Sequence, residues 1–274
     1  MTFRNASQAE LAEVLDWAAR EGWNPGLDDA AAFYAADPQG FFVATKDDVP
    51  VASISVVNHS DSFAFLGLYI VRPEFRGQGI GHALWQHALR HAGARTVGLD
   101  GVPEQQANYR ASGFLRAGET TRFAGPVEPL AGNDIRLADG SDVGRLIDAE
   151  AAASGHRKDA YLSAWTKNTD LRKTLVHSRN GRPVGFATVR KCRQDAKIGP
   201  LVAEDLEAAR RLLHHAATFF DGGIVIDVPA GSEDLAALCV DLGLSPGFRT
   251  ARMYRGDVPK GQGACFAVSS LELG

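Results

Sequence analysis

The chain repeats itself. Phe3-Arg4 recurs as Ile135-Arg136 at an offset of 132, and Leu11, Val14, Leu15 and Asp16 fall without a gap on Val143, Leu146, Ile147 and Asp148. Pro50-Val51 returns as Pro183-Val184 at an offset of 133, and Gly113-Phe114 with Arg122 as Gly243-Leu244 with Arg252 at 130. Three nearly constant offsets imply two tandem copies of one fold. The length of 274 residues agrees, since about two domains of roughly 100 to 200 residues are then expected. The domains expected are 1–125 and 135–274, joined by a linker over 126–134 in a Pro- and Gly-rich stretch.

Within the first copy, Ser7 with Glu10 makes a capping box for a helix that carries Leu11, Val14, Leu15 and Ala18 on one face. Gly22 ends it, and a second helix opens at Asp28 and closes before Pro38. Residues 41–45, 51–57 and 63–71 read as strands, 96–100 as a short apolar strand, and 103–112 as a helix stopped at Gly113. The order is strand, two helices, three strands, helix, strand, helix, strand, an α/β (α+β) arrangement.

A net charge of −4 gives no general attraction to nucleic acid or an anionic membrane. No apolar run approaches membrane-spanning length, and MTFRNASQAE lacks a signal-peptide core, so a cytoplasmic location is expected. Cys192, Cys239 and Cys265 are odd in number and widely spaced, which fits free thiols and neither a disulfide framework nor a cysteine zinc site. His87 and His91 share a helix face but lack a third ligand, so they are read as solvent-facing and no metal is expected.

The stretch from Leu66 to Leu89 carries the chemistry. It reads as an apolar strand, a basic and glycine-rich turn, and a helix with Ile80, Leu84 and Ala88 on one face. Gly77, Gly79 and Gly81 alternate, so backbone N–H groups can converge on an anion. The helix aims its positive dipole end at the same point, and Arg76 adds a charge able to bond phosphate oxygens. A dinucleotide fingerprint is excluded because His82 stands where its third glycine belongs, and a P-loop because Gly-Lys-Ser/Thr is absent.

What remains, Arg76-x-x-Gly79-x-Gly81 led in by Val71-Arg72-Pro73-Glu74-Phe75, resembles the pyrophosphate signature of the GNAT acetyltransferases. The resemblance implies two tandem GNAT-like domains, each a mixed, mostly antiparallel sheet flanked by helices, with acetyl-CoA as co-substrate. It places Ile70, Val71, Arg76, Gly77, Gln78, Gly79, Ile80 and Gly81 against the cofactor, with backbone N–H groups near Tyr69 to Val71 polarising the thioester. A second motif, Tyr109-x-x-x-Gly113-Phe114, matches the tyrosine that in many members protonates the departing thiolate. Val102 and Gln105 stand where the family often has Asn and Ala. The chemistry is sound, because a phenol near ~10 can donate to a thiolate whose conjugate acid lies near ~8.5. The sequence does not name the base that deprotonates the acceptor: Asp100, at the end of the fifth strand, is one choice and a water chain to a more distant group another. Trp23 and Asn24, in the link between the first two helices, are candidates for contacting substrate. The alternative for Trp23 is a turn pinned by a packed tryptophan.

The second copy departs from the first where chemistry belongs. In place of the cradle it runs Lys197-Ile198-Gly199-Pro200-Leu201-Val202-Ala203-Glu204-Asp205, and Cys239 stands at the position of Tyr109. It resembles the degenerate second domains of tandem acetyltransferases. Arg190 and Arg193 belong to a basic cluster there on which a carboxylate-bearing acceptor can dock, the alternative for each being a solvated surface. The expected function is acetyl-CoA-dependent N-acetyl transfer to a small-molecule amine, by a monomer or homodimer, with no nucleic acid, membrane or metal involved. A non-catalytic acyl-CoA sensor and a protein or peptide N-acetyltransferase are the alternatives.

Overall fold

The computed structural model describes residues 1–261 and 265–274. Thr2–Asn5 (β1) leads into Gln8–Arg20 (α1), whose capping box forms as expected: Glu10 N donates to Ser7 Oγ (3.2 Å) and Ser7 N to Glu10 Oε2 (2.8 Å). The second helix, Asp29–Ala36 (α2), starts after Asp28 but without a side-chain cap. Asp28 instead accepts from Thr169 Oγ1 (2.6 Å) and Arg172 Nη2 (2.8 Å) of the second half.

The first half continues through Phe41–Lys46 (β2), Val49–Asn58 (β3), Phe63–Val71 (β4), Ile80–Leu89 (α3) and Thr96–Gly101 (β5). Of the helix expected over 103–112, Pro103–Gln105 is a 3₁₀ turn and Gln106–Ala111 (α4) is α-helical, before Leu115–Gly125 (β6). The second half repeats this element for element: Ile135–Leu137 (β7), Val143–Ser154 (α5), Asp159–Trp165 (α6), Arg172–Arg179 (β8), Arg182–Lys191 (β9), Ala196–Ala203 (β10), Leu206–Ala216 (α7), Ile224–Pro229 (β11), Glu233–Asp241 (α8) and Ser245–Arg255 (β12). Cys265–Ala267 (β13) has no counterpart among the described residues.

The two sheets are one. The strand order is β1-β2-β3-β4-β5-β12-β6-β11-β10-β9-β8-β7, with β13 added on β10. Each half therefore gives its last strand to the other: β12 lies antiparallel to β5, β6 antiparallel to β11, and β6 and β12 pair between them. Within each half the sheet is antiparallel except for one parallel pair, β4 with β5 and β10 with β11.

The helices close the exchange from one face. Leu11, Val14, Leu15 and Ala18 of α1 pack in one core with Phe33, Tyr161, Leu162 and Trp165, so that core draws on both halves. Phe33 stacks on Trp165 with centroids 5.6 Å apart. Burying side chains of this size stabilises by roughly 1.5–3 kcal/mol each. No helix among the described residues is long and apolar enough to cross a membrane.

Candidate active site

The site begins where β4 leaves β5. Their parallel pairing runs only from Phe63 with Thr96 to Leu66 with Leu99, so β4 beyond Leu66 has no strand partner on that side among the described residues. On the other side the ladder with β3 slips between Ser53 and Ser55, and Leu68 takes φ +47. A left-handed leucine costs about 1–2 kcal/mol. Its burial and a hydrogen bond from Ser53 Oγ to its carbonyl (2.8 Å) hold it. The bulge re-aims the strand beside a cleft.

Beside this edge lies a groove of about 530 Å³. Ile70, Val71, Arg76, Gly77, Gln78, Gly79, Ile80 and Gly81 all line it, so the geometry brings the expected cofactor residues together. The three glycines serve two purposes. Gly77 (φ +74) and Gly79 (φ +77) bend the backbone over open space, whereas a β-carbon on Gly81 would lie 2.6 Å from the Tyr69 hydroxyl. Gly81 therefore seats α3 against β4 and is not a point of ligand approach. Arg76 is half-exposed and folded back, its Nε donating to Val71 O (2.8 Å) and its Nη2 pairing with Glu21 (2.5 Å).

The groove runs into a smaller cavity of about 70 Å³, with Trp23, Tyr69, Val102 and Gln105 lining both. Tyr109 lines this inner cavity, placed by α4 and held by stacking on Trp85 (centroids 5.5 Å apart). Only glycine fits opposite it, since a β-carbon on Gly101 would come within 2.8 Å of the ring. Burial pushes the Tyr109 phenol well above the ordinary tyrosine value, so it stays protonated. The wall is not built by the first half alone. Phe248 and Thr250 enter on the exchanged strand β12, and Leu271 and Glu272 on the closing segment after β13.

Several expected site residues are employed elsewhere. Asp100 lines the cavity, but Arg252 donates to both its oxygens (3.0 and 2.6 Å), which leaves it poorly placed to take an acceptor's proton. Asn24 (φ +52) exchanges hydrogen bonds with the Gln194 backbone, Nδ2 donating to its carbonyl at 2.7 Å, and so fixes a loop of the second half. Arg190 is fully buried between Asp29 and the face of Trp165 (4.6 Å), and Arg193 pairs at the surface with Asp16 (2.6 Å). Both join the halves, and neither lines the cavity. Of the proposed substrate contacts, Trp23 alone faces both chambers, with its carbonyl held by Arg122 (3.3 Å) and Lys197 (3.1 Å). His91 is part-buried and bonded to Asp37 (2.7 Å), not solvent-facing.

Arg122, Phe248, Thr250, Leu271 and Glu272 line the cavity without having been singled out. Leu271 and Glu272 belong to the late segment CFAVSSLELG, which has no equivalent in the first copy, and Arg122 is marked only as the repeat partner of Arg252.

The second half has lost the matching cleft for a visible reason. Its β10 and β11 pair in parallel only through Ile198 and Ile226, as β4 and β5 do up to Leu66 and Leu99. The opening is then filled by β13, which pairs Leu201, Val202 and Ala203 with Ala267, Phe266 and Cys265. At the cradle position Asp205 caps α7 by accepting from Ala208 N (2.8 Å), and Glu204 pairs with Arg182. Carboxylates there repel a phosphate.

The acetyltransferase (GNAT) family profile matches residues 9–118, and a second profile, the acetyltransferase (GNAT) domain, matches residues 146–267. A holothin acyltransferase from Pseudoalteromonas sp. (strain SANK 73390) is 33% identical over 278 residues, spanning 100% of this chain and 94% of that protein. Among solved structures, an acetyltransferase-class protein from Pyrococcus horikoshii superposes over 100% of this chain and 95% of its own with TM-score 0.85 and 18% identity. A tandem GNAT protein from the clavulanic acid biosynthesis pathway covers 93% of this chain and 99% of its own, with TM-score 0.63 and 16% identity. The chain belongs to the GNAT family of acyltransferases, with two GNAT domains in tandem.

Proposed function

We propose that the protein transfers an acyl group, acetyl in the simplest case, from a coenzyme A thioester to the amine of a small molecule. The observation that carries this reading is the continuity of the two chambers: a glycine cradle beside an unpaired strand edge opens, past Trp23 and Tyr69, into an inner cavity that holds Tyr109. The cradle's N–H groups and Arg76 suit a pyrophosphate, and the free edge of β4 suits an extended amide-bearing arm.

The acceptor enters the inner cavity, whose apolar walls, Leu66, Leu68, Leu99, Phe248 and Leu271, favour a compact apolar body. Its nitrogen attacks the thioester carbon directly, the C–S bond breaks, and Tyr109 donates its phenolic proton to the departing sulfur. The 33%-identical relative is named for holothin, which makes holothin the first acceptor to try. The closure of the second cleft by β13 limits each chain to one acyl-CoA. Cys192, Cys239 and Cys265 are free and buried, which supports a reducing, cytoplasmic setting.

The test is thiol release from acetyl-CoA and longer acyl-CoAs across holothin and a panel of small amines. Release with at least one small amine is expected. Binding of acetyl-CoA with no release on any amine would turn the reading to a sensor, and transfer only to peptides would turn it to a protein acetyltransferase.

A further inference from the structure

The proposed reaction lacks a base, and the cavity holds a carboxylate to which nothing assigns a task. Glu272 is 3% exposed, it lines the inner cavity with Tyr109, and its Oε2 has no hydrogen-bond partner among the described residues. An unpaired buried polar atom costs about 1–3 kcal/mol, so a structure that keeps one has a reason to.

The segment that carries it is firmly held. The backbone passes so close to β4 that a β-carbon on Gly67 would lie 2.0 Å from Glu272 O. Leu273 N donates to Ser270 Oγ (3.0 Å), the His59 ring donates to Leu273 O (2.8 Å), and Lys158 Nζ donates to Gly274 O (2.6 Å). With Arg190 Nη2 donating to Ser269 O (3.2 Å), these anchors fix the backbone on both sides of Glu272 and leave its Oε2 unpaired. The charges within reach are Arg122, Arg190 and Lys197. Arg122 is matched by Asp227 and Arg190 by Asp29, while Lys197 Nζ donates to the Trp23 carbonyl. Asp100, the other carboxylate lining the cavity, is paired with Arg252.

We infer that Glu272, supplied by the second half, is the base that deprotonates the acceptor's ammonium in the first half's cavity. This rests on the acyl-transfer reading above. One N–H proton passes to a Glu272 oxygen, and the freed lone pair forms the C–N bond. The C–S bond breaks, the sulfur takes its proton from Tyr109, the second N–H proton leaves the new amide nitrogen and restores the Tyr109 phenol, and the proton on Glu272 leaves to solvent. The sum is ammonium plus thioester giving amide, free thiol and one proton.

The test compares native protein with Glu272→Gln, using acetyl-CoA and two amines of similar size: benzylamine, protonated at neutral pH, and aniline, neutral there. Thiol release to benzylamine is expected to fall by about 100-fold or more, the usual worth of a positioned base. Release to aniline is expected to change little, and the benzylamine rate of the variant to rise with pH toward the native rate. Melting temperature and acetyl-CoA affinity report whether the variant keeps its fold. Equal losses with both amines would reduce Glu272 to a positioning residue, and unchanged rates, or no native release to either amine, would overturn the inference. Failure of the native protein to bind acetyl-CoA would instead bring down the acyl-transfer reading.

Discussion

Arg252 on β12 donates to both carboxylate oxygens of Asp100 on β5, at 3.0 and 2.6 Å, and its repeat-related partner Arg122 on β6 does the same to Asp227 on β11, at 2.8 and 2.9 Å. The two pairs are the same contact made twice across the exchanged strands. Each half's arginine completes the other's sheet, and through Asp100 the second half holds a wall of the first half's cavity.

Breaking one such pair strands a buried charge. Arg252→Met is expected to lower unfolding stability by about 3–5 kcal/mol. Adding Asp100→Asn to it is expected to cost less than the sum of the single changes, because the stranded carboxylate is then gone. Urea unfolding of the three variants checks this. Additive losses would show that the pair is not coupled.

Tyr109→Phe keeps the stacking on Trp85 and removes only the phenolic hydroxyl. Turnover is expected to fall by about 100-fold or more, with acetyl-CoA affinity unchanged. Because burial raises the phenol's pKa, the native turnover profile is expected to show no loss of the acid up to at least pH ~10, the ordinary tyrosine value. An alkaline limb near pH 8 that disappears in the variant would remove Tyr109 from this role.

Gly67 is the point where two backbones nearly touch. Gly67→Ala drives a methyl group into Glu272 O and is expected to displace the closing segment while leaving Gly77 and Gly79 untouched. Thiol release should fall much further than acetyl-CoA affinity. Equal losses of both would mean that the cradle and the inner cavity are not separable.

The closing segment is also the acid-sensitive part. Burial and the nearby Lys158 push the His59 imidazole down to about 3, from an ordinary value near ~6.5. A histidine whose folded pKa is depressed gives stability that is full above its unfolded pKa and lost as pH falls from there toward the folded value. The window runs from about 6.5 down to about 3, and each unit within it removes about 1.4 kcal/mol. Melting temperature against pH is expected to drop from pH 6.5 to 5, and His59→Gln to flatten that slope. An unchanged slope would assign it to other groups, His156 first, which burial depresses likewise.

Local features of the fold were legible in the sequence. The Ser7–Glu10 capping box, the strand–glycine turn–helix around Gly79 and the repeat offsets each depend on residues close together or evenly spaced, and all three stand in the structure. Partner choice was not legible. That β12 joins β5, or that Arg190 meets Asp29 across 161 positions, is decided by tertiary packing, and a basic cluster reads as surface until its far partner is known. Glu272 was hidden for the same reason: one glutamate in LELG says nothing of the cavity it enters from the other half.

The proposed function gives each chain one acyl-CoA, held by the first half. Calorimetric titration of native protein and Arg76→Ala with acetyl-CoA is its test. One equivalent is expected to bind to the native protein, and to bind about tenfold more weakly to the variant through loss of a charge-assisted phosphate contact worth about 1.5 kcal/mol or more. Two equivalents, or one equivalent whose affinity ignores Arg76, would contradict it.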